Sequence, residues 1–230
     1  MFAVVSIFIS FVAVCIYRGF NIGEHSHLIL KMIASSVFLV VGAIATFQIN
    51  RPRMLLFVFI GLVCGLLGDF FLVTPYDSLF KWNFGFPVGL GFFFIEFVLL
   101  ILAFSSQKPI GAREFVIAAV IFIPIFIVLL KSKNSFGALL IPILIYAYTV
   151  LLACVSSATL GYGTQYDTAK ILLVLGVWLF AFSDLILGLN MSKKLTAIGI
   201  KSTEWANYCN SFLYFVGQTM IACSIYYYKK

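Results

Sequence analysis

The sequence predicts an all-α integral membrane protein: a bundle of eight transmembrane helices forming one polytopic domain over residues 1–230. Three observations predict it. The chain is 63% hydrophobic and only 10% charged, with a mean hydropathy of +1.13, far more apolar surface than a soluble fold of this length needs. Apolar runs recur at about the 20 residues that a bilayer crossing requires. Short polar or charged connections separate them, which leaves no room for a soluble domain.

The expected spans cover roughly residues 2–17, 28–49, 54–73, 84–104, 114–130, 137–159, 170–190 and 208–228. The first has neither a basic leader nor a small-x-small cleavage site, so it is expected to stay as a helix. Breaks follow at "YRGFNIGEHSH", "NRPR", "TPYDSLFKW", "SSQKPIGARE", "KSKNS", "GYGTQYDTAK" and "MSKKLTAIGIKSTEW". His25 and His27 fall in the first break and read as a solvated loop, because a zinc site needs more ligands than two. The cysteines at 15, 64, 154, 209 and 223 are odd in number and form no CxxC, so they read as small buried hydrophobes. No metal or cofactor is implied.

The net charge of +7 is spread over the connections, a pattern that suits anionic lipid headgroups and offers no patch for nucleic acid. Orientation is not decided. Seven basic residues (51, 53, 108, 113, 170, 229, 230) share a side with the termini, and eight (18, 31, 81, 131, 133, 193, 194, 201) lie on the other.

Within this apolar background, Asp69 in "GLLGDFF" and Asp184 in "FAFSDLILG" lie deep in predicted helices. Charge at that depth is costly and marks function. "GLVCGLLGDFFL" (61–72) and "GVWLFAFSDLIL" (176–187) also echo one another, with Gly first, a small residue before the acid and Leu three after it. The echo suggests a parallel four-plus-four repeat. Asp69 precedes Thr74 by five residues and Asp184 precedes Asn190 by six, so each acid lies about 8 Å below the same surface. The two carboxylates can converge if their helices are neighbours, and glycines 61, 65 and 68 would permit close approach.

Other polar groups reach the same half of the membrane. Lys31 opens the second span and is followed by Ser35 and Ser36; a snorkelling lysine is the ordinary alternative there. Tyr146 follows Pro142 in the sixth span, and Asn210, Tyr214 and Gln218 form an i, i+4, i+8 stripe along the last. Glu96 lies deeper, about 18 Å from that surface. Taken singly, Tyr146 reads as packing and Gln218 as interhelical glue; the three embedded acids do not.

The ordered pieces Lys31, "GLLGDFFL", "GLGFFFIEF", "PILIY", "LFAFSDLILG" and "YFVGQTMIA" resemble the YhhN family, which includes the mammalian lysoplasmalogenases. The resemblance covers nearly the whole chain and implies the family's eight-span layout. Three positions depart from the family pattern: Glu96 and Leu99 stand where His and Tyr are usual, and Met32 follows Lys31 where Pro is usual. Membership implies cleavage of the vinyl ether of a lysoplasmalogen to a fatty aldehyde and a glycerophospho-base. The alkyl chain would stay among the helices while the phosphate meets the Lys31 side.

The residues suit that chemistry. Vinyl ether hydrolysis begins with proton transfer to the β-carbon, and water then captures the oxocarbenium ion. Burial of one carboxyl beside another favours the protonated acid that this step needs, and the second carboxylate can steady the cation or deprotonate water. Asp69 and Asp184 are the expected catalytic pair. Lys31, Tyr146, Tyr214 and Gln218 are expected to hold substrate or water, with Glu96 in place of the family histidine as an orienting group.

The expected partners are a lysophospholipid and the bilayer, and the expected location is the cell membrane. A proton-coupled transporter is the first competing reading, although the third and seventh spans lack the Gly/Pro break of a carrier. A lipid-binding homologue without activity is the second. No G-x-S-x-G or Ser-His-Asp arrangement supports ester hydrolysis.

Overall fold

The computed structural model describes residues 1–19, 24–47, 53–73, 85–131, 136–160, 168–191 and 203–228. Among them the regular structure is helical. In chain order the α-helices are α1 (Phe2–Gly19), α2 (Glu24–Phe47), α3 (Arg53–Val73), α4 (Gly85–Ser105), α5 (Ala112–Lys131), α6 (Leu140–Thr159), α7 (Thr168–Met191) and α8 (Thr203–Tyr227). One turn of 3-10 helix, Gly137–Leu139, leads into α6, with Gly137 at φ +54°.

Seven of the helices, α1 to α7, are long and apolar enough to cross a membrane. α8 has the length, with 25 residues, but a more polar composition. Its polar residues turn inward: Ser211, Gln218, Thr219 and Ser224 are all buried. A helix enclosed by others can carry polar groups that a lipid-facing helix cannot.

Two expected boundaries move. α2 begins at Glu24, four residues before the expected span, so the backbone of His25 and His27 is helical and does not form the expected loop; their side chains lie outside the described part. α8 begins at Thr203, five residues early, where "TEWANY" is too polar to read as membrane helix but continues the same turns.

Six helices close into a ring in the order α2, α3, α4, α6, α7, α8 and back to α2. α1 lies outside it against α2 and α8, and α5 lies outside against α6. Fully buried rings and aliphatic chains, among them Phe38, Phe97, Phe180, Phe215 and Ile221, fill the interior. The outer helices instead expose large apolar side chains, such as Val4 and Phe8 on α1 and Val116 and Ile123 on α5. In lipid these need no cover, so association rests on close packing and internal polar contacts.

Glycine sets the closest crossings. A Cβ on Gly176 would come within 2.7 Å of the Gly217 carbonyl oxygen, and one on Gly217 within 2.8 Å of the Gly176 oxygen. α7 and α8 therefore meet backbone to backbone. α3 and α4 do the same where Gly89 faces the Gly68 carbonyl oxygen, 2.9 Å from its Cβ position.

Candidate functional site

α2 rises from its first turns with Lys31 and Ser35 on one face, one turn apart. Both reach Asp69, near the end of α3. Lys31 Nζ lies 2.9 Å from Asp69 Oδ1, and the Ser35 hydroxyl donates to Oδ2 at 2.6 Å. From α8 the Tyr214 hydroxyl donates to the same Oδ2 at 2.8 Å. Asp69 and Lys31 are both buried. A buried charge pair persists only when its remaining valences are met, and here two helices, α2 and α8, supply the donors. Lys31 therefore does not snorkel; its ammonium turns inward to pair. Ser36, the adjacent hydroxyl, bonds its own helix, at Met32 O.

Asp184 on α7 has different company. The Tyr146 hydroxyl of α6 donates to its Oδ2 at 2.6 Å. Both residues line a cavity of about 330 Å³ between α4, α5, α6 and α7. The rest of that wall is apolar, with Phe93, Trp178 and Phe182 supplying aromatic faces. α8 braces the segment from behind: the Asn210 side-chain amide donates to Ser183 O at 2.7 Å.

The third acid, Glu96 of α4, is wholly buried. Gln218 Nε2 of α8 donates to Glu96 Oε1 at 2.8 Å, one turn along from Tyr214. Glu96 Oε2 and Gln218 Oε1 have no hydrogen-bond partner among the described residues. Space for the carboxyl comes from α3: a Cβ on Gly65 would sit 2.7 Å from Glu96 Oε2, and one on Gly61 would sit 3.6 Å from Glu96 Cγ. These glycines were expected to allow close helix approach, and α3 does pack closely on α4; Gly65 also makes room for the Glu96 carboxyl.

The predicted residues thus fall into three groups. Lys31, Asp69 and Tyr214 form one, Tyr146 and Asp184 a second, and Glu96 and Gln218 a third. The two aspartates do not share a hydrogen bond, and α3 and α7 are not among the principal packed pairs. Phe93 of α4 stands between them, its ring against the Cα of Gly68 and edge-on to both Phe180 of α7 and Tyr214 of α8, each at 5.9 Å. Equal depth along two helices does not decide which neighbours intervene, so the sequence offered no sign of this ring. It offered none for Trp178 either, because an aromatic residue in a membrane helix is ordinary. Ser35 could be read: it follows Lys31 by one helical turn and so shares its face.

Residues 26–225 match the model of the YhhN family. The chain belongs to the YhhN family. No curated protein and no solved structure matches it. The YhhN match runs from the first turn of α2 almost to the end of α8, and so takes in every side chain of the three groups; α1, outside the ring, lies before it.

Proposed function

We propose that this YhhN protein is a membrane-embedded hydrolase that cleaves the vinyl ether of lysoplasmalogens to a fatty aldehyde and a glycerophospho-base. The observation that carries the reading is Asp184: a carboxyl on the wall of an apolar cavity, with one oxygen fixed by Tyr146 and no cation within ion-pair distance among the described residues. Asp69 has its oxygens taken by Lys31, Ser35 and Tyr214. The expected pair therefore divides its work. Asp184 gives a proton to the β-carbon of the enol ether and becomes a carboxylate beside the oxocarbenium ion. Water adds to the cation and returns a proton to Asp184, and the hemiacetal breaks down to aldehyde and alcohol. Asp69 acts at a distance, holding Tyr214 and Lys31 in place. Lys31 sits toward the end of the bundle where a substrate phosphate would lie.

We further read α8 as an eighth crossing and the bundle of eight helices as a four-plus-four repeat. The pairing pattern supports the repeat: α1 with α2, α2 with α3, α3 with α4 and α2 with α8 recur as α5 with α6, α6 with α7, α7 with α8 and α6 with α4. In each half the second helix gives a hydroxyl to the aspartate of the third, Ser35 to Asp69 and Tyr146 to Asp184. A multi-pass protein of the cell membrane, acting on lipid within it, is the corresponding location.

The test is aldehyde release from lysoplasmenylethanolamine by the purified full chain in detergent. Wild type should release aldehyde, and Asp184→Asn should fall to background. If wild type is no faster than Asp184→Asn, the hydrolase reading is wrong. An ester lysophospholipid run alongside should give no free fatty acid.

A further inference from the structure

The cavity beside Asp184 has a shape that the proposed chemistry does not by itself require. Its rim includes Leu72 of α3, Phe86 of α4 and Met191 of α7, all near helix ends on one side of the bundle. Its far end includes Val150 and Cys154 of α6 and Trp178 of α7. Between Trp178 and Met191 the helix rises about 20 Å. Trp178 lies close to the midpoint of α7, which spans Thr168–Met191. The cavity therefore runs from one end of the bundle to about the middle of α7, a depth comparable to one leaflet, whose hydrocarbon is about 15 Å thick. Its wall is apolar over this depth except at Tyr146 and Asp184, which stand about 10 Å below Met191.

That geometry fits one occupant, an extended unbranched alkyl tail entering from one leaflet. A slot of about 330 Å³ lies at the lower end of the volumes that small-molecule sites show. Trp178 and Cys154 line its deep end, and Cys154 is itself almost wholly buried. From Asp184 to Trp178 the helix advances about 9 Å. An all-trans chain advances about 1.2 Å per bond, by analogy with an extended backbone. The slot thus holds roughly seven or eight bonds of straight tail beyond the acid before meeting the floor.

We propose that Val150, Cys154 and Trp178 form a floor that gauges tail length, so that the protein discriminates single-chain lipids by how far the tail extends past Asp184. The proposal rests on the hydrolase reading for the identity of the lipid, but its test reads binding alone. Longer tails must bend against the floor, whereas tails that end above it lie straight. Small side chains on the floor, above all Cys154, set the limit.

The experiment uses the full chain with Trp82→Phe and Trp205→Phe, which leaves Trp178 as the only tryptophan. The probe is a single-chain ether lysophospholipid, saturated and hence not cleavable, that carries bromines at chosen tail positions. Saturable quenching of Trp178 is expected, stronger for bromines near the tail end than near the headgroup, and relieved by unbrominated lipid of the same kind. Cys154→Phe should raise the floor. It should weaken binding of the longest tails roughly tenfold, the equivalent of about two methylenes no longer buried, and leave the shortest unchanged.

Quenching that grows with bulk lipid and shows no competition would mean that Trp178 touches only ordinary bilayer, which overturns the proposal. So would equal loss of affinity for all tail lengths in both Cys154→Phe and a second floor variant, Val150→Phe. Normal quenching without aldehyde release would overturn the hydrolase reading and leave the gauge standing.

Discussion

Lys31 Nζ and Asp69 Oδ1 are 2.9 Å apart, both side chains buried, with Ser35 and Tyr214 completing the carboxylate. This ion pair ties α2 to α3 inside a membrane half, where an unpartnered charge is not tolerated. Removing one partner should cost more than removing both. Lys31→Met should lower stability by about 3–5 kcal/mol. The double variant Lys31→Met, Asp69→Asn should regain a large part of that in detergent thermal unfolding.

Asp184→Asn should keep the Tyr146 contact and the fold while losing the proton. Turnover of a vinyl ether substrate should drop by about 10²–10⁴-fold, the range of general acid catalysis, with the melting temperature near that of wild type. Tyr146→Phe should cost less, because it removes the hydroxyl at 2.6 Å and leaves the acid. Rates and melting curves measured on the same preparations check both.

Glu96 and Gln218 share one hydrogen bond and leave one oxygen each without a partner. Glu96→Gln should be tolerated, since an amide can donate to Gln218 Oε1 and accept from Nε2 at once. Glu96→Leu should cost about 1–3 kcal/mol, because the Gln218 amide is then buried without any partner. A melting-temperature ranking of wild type and Glu96→Gln together, well above Glu96→Leu, is the expected result.

The space for Glu96 depends on Gly65. Gly65→Ala would put a Cβ 2.7 Å from Glu96 Oε2 and 3.0 Å from Gln218 Nε2, and should destabilise by about 1–3 kcal/mol. Gly91→Ala, with nothing within 4 Å of the new Cβ, should stay within about 0.5 kcal/mol of wild type. The contrast separates steric displacement from the general effect of replacing glycine in a helix.

Much of the fold was legible because lipid imposes a simple rule, long apolar helices joined by short polar turns. The rule faltered at α8, whose inward polar face dilutes its apolar content, and at α2, whose first turns carry charge. The candidate site was legible in part. The cost of a buried carboxylate pointed to Asp69, Asp184 and Glu96, and helical spacing linked Tyr214 with Gln218. What one dimension could not carry was adjacency around the ring. Depth placed the two aspartates level, yet Phe93 reaches from α4 to stand between their helices. For Lys31 the sequence left snorkelling open, because only the neighbouring α3 offers it a carboxylate.

The backbone contact between Gly176 and Gly217 has a further consequence for Asp184, eight residues along the same helix. Two helices fused at such a crossing cannot slide or roll past one another without a collision of main chains, so the acid rides on a fixed beam. α5, which walls the cavity with Pro124, Ile125 and Leu129, packs principally against α6 alone. Accommodation of differently shaped lipids therefore falls to that outer wall, and the reacting carboxyl keeps one position while its guests change.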